Sequence, residues 1–320
     1  MKVLLTGATG FVGRGLLARL EREEGVQLRV AVRDSASALP DRVEVFRIDG
    51  LSATQPWGDA LRGVDVIIHA AARVHVMEEQ SADPLAAFRA VNVEATRQLA
   101  RQAIEAGVKR LVFVSSIKVN GEETAPGRPF TADAPAAPQD PYGQSKREAE
   151  EALFELAARS DLEVVVVRPP LVYGPGVKAN FASLMGALQR RLPLPFASID
   201  NRRSLVARDN LVDLLLLCAR HPQAAGQIFL AGDGEDLSTA QLCRRLSLAL
   251  GVRPRLLPVP PAALRLLGRL SGRSAQVQRL LGSLQVDISV ARERLGWTPP
   301  VAVDQALRET AAAFCGGAQR

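Results

Sequence analysis

The side chains with the clearest chemical potential are a tyrosine and a lysine four residues apart, Tyr142 and Lys146. They open a segment with helical periodicity, and residues at positions i and i+4 share one face of a helix. A phenol with a pKa of about 10 is a poor acid–base catalyst at neutral pH. A neighbouring ammonium favours the phenolate and lowers that pKa, so the spacing predicts an acid–base pair.

The context of this pair carries more information than its spacing. The pair lies downstream of a Gly-rich turn and of Ser115 and Ser116, which end a buried apolar run. The chain holds 40 lysines and arginines, but only five of them are lysines. A lysine kept in such an arginine-rich chain indicates a chemical requirement at Lys146.

The Gly-rich turn near the start of the chain, TGATGFVG at 6–13, follows the first apolar run. Gly7 permits a tight turn, Gly10 lets the backbone approach a pyrophosphate, and Gly13 lets a helix pack closely on a strand. The N-terminus of that helix offers N–H groups and the positive end of its dipole to phosphates. We therefore predict dinucleotide binding at this turn.

The ends of the second and third predicted strands bear on which dinucleotide binds. An acidic residue after the second strand bonds the ribose of NAD, whereas an arginine accommodates the 2′-phosphate of NADP. This chain has Arg33 followed by Asp34, and Arg14 lies just inside the first helix. We expect NADP(H) to be favoured; the alternative is NAD(H), with Asp34 as the ribose ligand and Arg33 on the surface. Asp49 after the third strand is predicted to accept from the adenine amino group.

Alternating apolar runs and helical patterns supply the elements that must position these residues. Strands are predicted at 2–6, 28–32, 43–48, 64–69, 110–115 and 163–168, and helices at 11–22, 84–106 and 142–159. Continuous aliphatic runs are typical of strands buried on both faces. Strands alternating with helices predict an α/β fold with a parallel, doubly wound sheet, because each crossover helix must cover a sheet face.

The pattern changes after 168, where prolines interrupt it. Further helices are predicted at 211–218 and 238–251, a strand at 227–231, and a basic amphipathic stretch at 262–284. We predict a dinucleotide-binding domain at 1–170, to which 201–232 returns, and a smaller substrate lobe formed by 171–200 and 233–320. The stretch 262–284 is expected to cover the substrate rather than to touch a membrane or a partner.

Composition argues against several other classes of protein. The net charge is +6, but no run of five like charges occurs, so a nucleic-acid surface is not expected. The three cysteines and three histidines lack the spacing of disulfide or metal sites, so no metal is predicted. A strand begins at once and no apolar stretch reaches the roughly eighteen residues of a membrane span, so we expect a cytoplasmic protein without stable membrane insertion.

Together these motifs resemble the extended short-chain dehydrogenase/reductase family, which includes nucleotide-sugar epimerases, dehydratases and reductases. The resemblance covers essentially the whole chain. Besides the Gly-rich turn and YGQSK, it rests on HAAA at 69–72, VNVEATRQL at 91–99, SSIKVNGE at 115–122, RPPLVYGPG at 168–176, RRSLVARDNLVD at 202–213 and RERLGWTP at 292–299. It implies a Rossmann-type sheet with a smaller C-terminal lobe, and a homodimer packed through helices near 83–106 and 142–160.

The resemblance also implies roles for individual residues. Ser116 matches the hydroxyl that bonds the reacting substrate oxygen, Tyr142 the acid–base and Lys146 its modulator, and Ser115 is a neighbour that could exchange roles with Ser116. Cofactor contacts are expected from Gly7, Thr9, Gly10, Phe11, Val12, Gly13, Arg14, Arg33, Asp49, Gly50, Ala70, Ala71, Ala72, Asn92, Ser115, Tyr142, Lys146 and Pro169. Substrate contacts are expected from Arg73, His75, Ser116, Ile117, Lys118, Tyr142, Asn180, Arg203 and Arg279. The last three match ligands of a nucleotide diphosphate.

Departures from the family pattern bear on the reaction. Sugar 4,6-dehydratases carry an Asp-Glu pair after the catalytic hydroxyl, where this chain has Ile117 and Lys118, so dehydration is not expected. UDP-galactose epimerases carry a pocket lysine after the fourth strand, where Arg73 and His75 stand here. They also keep an acid at the end of the second strand, where this chain has Arg33. The motifs further resemble a bacterial UDP-sugar 4-ketoreductase/epimerase subgroup that makes O-antigen precursors.

We therefore predict NAD(P)H-dependent reduction of the C4 ketone of a UDP-4-keto-6-deoxy-N-acetylhexosamine, in the synthesis of surface-polysaccharide precursors. The main alternative is a UDP-hexose 4-epimerase, acting on UDP-glucose or UDP-N-acetylglucosamine with bound NAD. It would oxidise C4 and return hydride to the opposite face. A steroid- or flavonoid-type ketone reductase is a more distant alternative, and a non-catalytic dinucleotide-binding or regulatory protein is another.

Overall fold

The computed structural model describes residues 1–33, 39–74, 83–125 and 127–317. The strands are β1 (Lys2–Thr6), β2 (Gln27–Val32), β3 (Glu44–Arg47), β4 (Val66–His69), β5 (Arg110–Val114), β6 (Glu163–Arg168), β7 (Leu171–Tyr173), β8 (Arg203–Ala207), β9 (Ile228–Leu230) and β10 (Asp236–Leu237). The helices are α1 (Phe11–Leu20), α2 (Gly58–Leu61), α3 (Pro84–Arg89), α4 (Ala95–Glu105), α5 (Pro141–Ala157), α6 (Ala179–Gln189), α7 (Arg208–Arg220), α8 (Thr239–Ala249), α9 (Pro261–Leu270), α10 (Ser274–Leu281), α11 (Ser289–Leu295) and α12 (Val303–Gly317). A π-helical turn spans Ala90–Glu94, and 3₁₀ turns span Ile117–Val119 and Pro222–Ala224.

Among the described residues, seven strands form one parallel sheet in the order β3-β2-β1-β4-β5-β6-β9. The chain winds outward in both directions from the centre of this sheet. The carboxyl ends of β1 and β4 therefore border the crevice at which doubly wound sheets bind ligands. This order confirms the predicted Rossmann-type α/β fold.

Side chains of the central strands alternate between two apolar layers, because successive strand residues point to opposite sheet faces. Val3 and Leu5 of β1 pack in the layer that contains α1 and α7. Leu4 packs in the opposite layer, which contains α4 and α5. All three of these β1 side chains are fully buried, as expected for a strand covered on both faces.

The second half of the chain builds a separate apolar cluster. A smaller sheet has the order β10-β8-β7, with β7 and β8 parallel and β8 and β10 antiparallel. It packs with residues of α6, α8 and α12, among them Phe181, Cys243 and Leu307. Of the segment 201–232, β8 lies in this smaller sheet, whereas α7 packs in the first layer and β9 joins the large sheet. The division into two units stays a prediction.

Two predicted elements differ from the structure. The helical pattern at 84–106 is divided into α3, the π-helical turn and α4. In the π-helical turn the buried Asn92 side chain hydrogen-bonds both backbone groups of Arg73, a tertiary interaction that periodicity does not reveal. The stretch 262–284 forms two helices, α9 and α10, separated by a turn in which Gly272 has φ +68°. Glycine adopts such a φ without the strain that a Cβ would bring.

Candidate active site

The turn that leaves β1 requires glycine at two predicted positions. Gly7 has φ +76°, and a Cβ there would lie 2.6 Å from the amide nitrogen of Ala71. A Cβ at Gly13 would overlap the carbonyl oxygen of Gly7, so α1 and the turn meet at backbone distance. A side chain at either position would fill the space or strain the backbone, which is what a phosphate-binding turn has to avoid.

The first turn of α1 completes this cradle. Gly10 is its N-cap residue and brings no side chain to the amide groups of Phe11 and Val12. Such amide groups, together with the helix dipole, attract phosphate. Arg14 is exposed, and its Nε donates a hydrogen bond to the carbonyl oxygen of Thr9 at 3.0 Å. The residues present therefore fit a dinucleotide pyrophosphate.

The segment after β4 lies against the Gly-rich turn. Ala70–Ala72 are partly buried and follow His69, whose ring lies between two hydroxyl groups. Thr6 Oγ1 lies 2.6 Å from His69 Nδ1, and Thr96 Oγ1 lies 2.9 Å from His69 Nε2. Burial, together with the charge of Lys146, lowers the pKa of His69 to about 3. His69 is therefore a neutral link between β1, β4 and α4.

Asn92 ties the segment after β4 to the helix that carries the predicted acid–base. Its Oδ1 accepts from the Arg73 amide at 2.8 Å, and its Nδ2 donates to the Arg73 carbonyl at 3.0 Å. The same Nδ2 donates to Ser145 Oγ at 3.0 Å. The Arg73 guanidinium lies 5.5 Å from the centroid of the Phe88 ring. Asn92 thus holds α5 and the chain after β4 in a common position.

Tyr142 lies in the first turn of α5, two residues after Asp140, which caps this helix. The Asp140 side chain accepts a hydrogen bond from the Gly143 amide at 2.7 Å. The partly buried Tyr142 ring meets Phe88 edge-on, with ring centroids 5.9 Å apart. Burial and the Asp140 carboxylate raise the pKa of Tyr142 to about 12, against the opposing effect of a hydrogen bond with Ser116.

The two serines after β5 have different partners. Ser116 lies close enough to Tyr142 to lower the pKa of its phenol, and the Ser116 hydroxyl accepts from the Lys118 amide at 3.3 Å. Ser115 is buried and donates its hydroxyl hydrogen to the carboxylate of Glu150. The structure therefore brings Ser116, and not Ser115, to the phenol of Tyr142.

Lys146 is buried one helical turn beyond Tyr142. Its Nζ donates to the carbonyl oxygen of Val114 at 2.8 Å and lies 4.3 Å from the centroid of the Phe113 ring. Burial lowers the pKa of Lys146 to about 7, and the negative charge of Glu150 opposes this shift. The spacing alone predicts a lowered phenol pKa; in the structure, burial shifts the two pKa values in opposite directions because it disfavours both charged forms.

A buried ion pair lies behind these residues. Glu150, a further turn along α5, accepts hydrogen bonds from Nε of Arg168 at 3.0 and 3.2 Å. Arg168 Nη1 donates to Asn120 Oδ1 at 3.0 Å, and Ser115 donates to Glu150. Both charged side chains are nearly inaccessible. The pair joins β6 and α5 to the segment that carries Ser116.

The residues directly after Ser116 contact other residues of the chain. Lys118 Nζ is ion-paired with Asp140 and, at 3.0 Å, with Glu122. The Ile117 side chain is buried, and its amide donates to the carbonyl oxygen of Pro169 at 2.9 Å. The lysine that replaces the acidic pair of dehydratases thus partly neutralises the carboxylate beside Tyr142. Substrate contacts of Ile117 and Lys118 stay predictions.

The residues predicted to hold a nucleotide diphosphate lie in the second half of the fold. Asn180 is exposed at the start of α6, after Ala179, which has φ +53°. Arg203 Nη1 donates to the carbonyl oxygens of Arg279 at 2.9 Å and Gly282 at 3.0 Å. Burial lowers the pKa of Arg203, while Glu123 opposes this. Arg203 and Arg279 are thus neighbours, and the side chain of Arg279 is exposed.

The predicted adenosine contacts lie at the carboxyl ends of β2 and β3. Arg33 and Asp49 are exposed, and Gly50 has open space at its Cβ position. Asp34, the alternative ribose ligand, lies outside the described residues, as does His75, a predicted substrate contact.

Comparison with known proteins agrees with this geometry. A model of the NAD dependent epimerase/dehydratase family matches residues 3–232. The chain belongs to this family. A UDP-glucose 4-epimerase of Vibrio cholerae is 48% identical over 313 residues, which cover 98% of this chain and 95% of that protein. A UDP-glucose 4-epimerase of Mycolicibacterium smegmatis is 31% identical over 98% of each chain.

The family is part of the extended short-chain dehydrogenases/reductases, so the resemblance seen in the motifs is confirmed. Among solved structures, a UDP-glucuronic acid 4-epimerase from Bacillus cereus in complex with NAD superposes with a TM-score of 0.80. The superposition covers 99% of each chain at 19% sequence identity, which shows a common fold. Of the helices in the described residues, none is both long and apolar enough to cross a bilayer.

Sequence reasoning missed three groups beside the acid–base. Asp140 was identifiable because an Asp-Pro pair before a helical pattern is typical of an N-cap. Glu150 follows Lys146 at i+4 and therefore lies on the same helix face. Arg168 was singled out only within a family motif, because nothing local in the sequence pairs it with Glu150, eighteen positions earlier.

Proposed function

We propose that this protein is a UDP-hexose 4-epimerase that interconverts UDP-glucose and UDP-galactose and keeps NAD bound through the cycle. The observation that carries the proposal is the 48% identity, over 98% of the chain, to a UDP-glucose 4-epimerase. The site is compatible with it: Ser116 lies beside Tyr142 at the carboxyl edge of the sheet, and the Gly-rich turn forms a cradle that fits a dinucleotide.

In the proposed reaction the protein moves one proton at the C4 oxygen of the sugar. NAD, when bound, supplies the acceptor and later the donor of the hydride at C4. Ser116 hydrogen-bonds the C4 oxygen, and the Tyr142 phenolate accepts its proton as the C4 carbonyl forms. Tyr142 returns the proton when C4 is reduced from the opposite face. No net oxidation occurs, so the cofactor ends each cycle in its starting state.

Burial sets the conditions under which Tyr142 can do this. A pKa of about 12 keeps the phenol protonated near neutral pH, so the proton acceptor forms only when positive charge arrives beside it. Lys146 is one source: Glu150, which lies on the same helix face, favours its charged form. The oxidised nicotinamide ring carries a further positive charge. We propose that Lys146 contacts the nicotinamide ribose while it stabilises the phenolate.

We propose that the remaining site residues bind the dinucleotide cofactor and the uridine diphosphate part of the substrate. The Gly-rich turn and Arg14 hold the pyrophosphate, and Asp49 the adenine. Asn180 and Arg203 hold the uridine diphosphate, whose binding energy positions C4 against the nicotinamide. Asn92 and Ala70–Ala72 form the wall of the cofactor crevice.

NAD is proposed over NADP because the matching family model is that of NAD dependent enzymes. The preference for NADP(H) that Arg33 indicates receives no support from these relatives. A 4-epimerase regenerates its cofactor in each cycle and gains nothing from the reduced NADP pool, so tight retention of NAD suits the reaction.

A 4-ketoreductase acting on a UDP-4-keto-6-deoxy-N-acetylhexosamine is the competing function. The exposed Arg33 after β2 is the observation that favours it, because an arginine there accommodates a 2′-phosphate. The two functions share the proton chemistry of Tyr142 and Ser116. They differ in whether hydride returns to the sugar from which it came.

The direct test incubates the purified protein with UDP-glucose without added cofactor and follows UDP-galactose by NMR, with the released dinucleotide identified after acid denaturation. The epimerase proposal predicts interconversion to equilibrium and one NAD per chain. Turnover that occurs only with UDP-4-keto-6-deoxy-N-acetylglucosamine, and consumes NADPH in proportion, would establish the reductase instead.

A further inference from the structure

The charge of the chain is unevenly distributed along its length. From 237 to 286 the sequence contains eight arginines and no aspartate, glutamate or lysine. This segment therefore carries a formal charge of +8, whereas the whole chain carries +6. The rest of the molecule is slightly acidic. A modest overall charge thus conceals one strongly basic stretch of sequence, which includes α9 and α10; Arg245, in α8, is ion-paired with Glu235 and Asp304.

The basic stretch presents apolar side chains as well. Leu266 is 58% exposed, Leu267 59% and Leu270 78%, which is unusual for three leucines within five residues of a helix. Arg265 and Arg269 lie on the same helix and are also exposed. At 100° per residue the arginines lie together beside the arc of leucines. We call these five residues the α9 face.

The opposite side of α9 is fixed to the protein. Gly268 is buried, and a Cβ there would lie 2.7 Å from a methyl carbon of Val277 in α10. The α9 face is therefore held outward by close packing of the two helices. Arg265 and Arg269 also line a groove of about 340 Å³, whose other lining residues are Ser274, Val277 and Gln278 of α10.

From these observations we infer that the α9 face docks on the surface of an anionic lipid bilayer, with its leucines in the acyl boundary and Arg265 and Arg269 at the lipid phosphates. A helix with a leucine face beside arginines binds in the plane of the interface without spanning the membrane. This docking is compatible with the absence, among the described residues, of any helix suited to span a bilayer.

The charge and the leucines of the α9 face argue against a second copy of the chain or a nucleic acid as its binding partner. In a symmetric contact, a second copy of the chain would bring its own α9 and α10, which contain no carboxylate, and like charges repel there. A nucleic acid would match the arginines but would leave three leucines in water or against phosphates. Of these three occupants, only an anionic bilayer offers negative charge and an apolar phase at the same surface.

Docking would place the bilayer close to the substrate end of the site. The carbonyl oxygens at the end of α10, those of Arg279 and Gly282, accept hydrogen bonds from Arg203. One layer of hydrogen bonds therefore separates this helical hairpin from a side chain proposed to hold the uridine diphosphate.

The test is flotation of the full chain with vesicles in a density gradient. We expect co-flotation with vesicles of equal parts phosphatidylglycerol and phosphatidylcholine, none with pure phosphatidylcholine, and release at about 0.5 M salt, where exposed charges are screened. The triple variant Leu266→Gln, Leu267→Gln, Leu270→Gln should remain in the soluble fractions. Arg265→Gln with Arg269→Gln should weaken binding by roughly thirtyfold, because each basic residue near the surface contributes.

The matched control is Arg42→Gln with Arg62→Gln, which removes the same charge from exposed arginines in the first quarter of the chain. It should float like the unaltered protein. Absence of flotation, equal flotation with both kinds of vesicle, or equal loss in the control would overturn the inference. So would a change in sedimentation mass caused by the leucine variants without vesicles, since the α9 face would then belong to a contact between copies. The readout is vesicle binding, so its outcome is independent of the proposed epimerase activity.

Discussion

Tyr142 is surrounded by charges that act on its proton in opposite directions. Asp140 raises its pKa, Ser116 lowers it through a hydrogen bond, and Lys146 lies one turn further along the same helix. Lys118 pairs with Asp140 and so reduces the negative charge that the phenol experiences. In the proposed reaction, proton removal from the C4 hydroxyl requires the phenolate. The pH at which kcat rises therefore depends on the sum of these charges.

Asp140→Asn should move the rise in kcat to lower pH by roughly one unit, because a negative charge beside the phenol is removed. Asparagine can still accept from the Gly143 amide, so the helix cap is kept. Lys118→Met should move the same limb to higher pH, because Asp140 is then no longer neutralised. The measurement is the pH profile of kcat at saturating UDP-sugar. Shifts of the same sign in the two variants would contradict this electrostatic account.

Removal of the acid–base itself should leave binding intact. Tyr142→Phe is expected to reduce kcat by about 10²–10⁴-fold, the range for loss of a positioned acid–base group. The dissociation constant of UDP, measured by calorimetry, should stay within about threefold, since the phenol oxygen does not touch the nucleotide in this account. A variant that turns over at the normal rate would show that another group moves the proton.

At the scale of single residues, the sequence predicts identities better than environments. Motifs identify Tyr142, Lys146 and Ser116, and the structure places Ser116 beside Tyr142. The sequence does not predict that burial raises the pKa of Tyr142 and lowers the pKa of Lys146. The burial of these two side chains depends on segments distant in sequence, such as 88–92 and 113–116. The ion pair of Lys118 with Asp140 was equally hidden, since the two residues are 22 positions apart in the sequence.

The Gly-rich turn and α1 act as one element. Gly13→Ala should place a methyl group on the carbonyl oxygen of Gly7, and we expect a loss of about 1–3 kcal/mol or more in unfolding free energy, with a lower NAD content. Gly58→Ala at the start of α2 is the matched control, because open space surrounds its Cβ position. Urea unfolding and dinucleotide analysis measure both effects. Equal unfolding free energies for the two variants would contradict close packing at Gly13.

Helix α5 is fastened to β6 by the buried pair of Glu150 and Arg168. Glu150→Leu should cost about 3–5 kcal/mol of unfolding free energy, because Arg168 is then left buried without its partner. On the same helix, Glu151→Gln removes an exposed i, i+4 pair with Arg147 and should cost less than about 1 kcal/mol. Urea unfolding of the two variants tests this contrast. Similar values for both would mean that Arg168 finds another partner.

For some helices and strands, sequence periodicity alone is enough to predict where the element begins and ends. The range of β6 is that expected from EVVVVR, and β1 also agrees with its predicted range, because these strands are continuous aliphatic runs. The π-helical turn around Asn92 was not predictable, since it is stabilised by hydrogen bonds to a segment 19 residues away. Nor did the pattern reveal that 262–284 turns back on itself at Gly272.

For the whole molecule, the order of elements was enough to predict the doubly wound sheet, because right-handed crossovers and buried strands leave few alternatives. The reaction was the harder inference. Arg33 and the missing acidic pair indicate a reductase with NADP(H), whereas the relatives favour the epimerase with NAD. Both reactions use the same protein groups, so motifs that describe proton transfer do not decide the path of the hydride.

The path of the hydride is therefore the measurement that tests the central claim. Purified protein is incubated in ordinary water with UDP-glucose that carries deuterium at C4, without added cofactor, and the product is examined by NMR and mass spectrometry. The epimerase account predicts UDP-galactose with the deuterium retained at C4, because the label leaves that carbon and returns to it. Failure to form UDP-galactose, or product from which the deuterium is lost, would contradict the account.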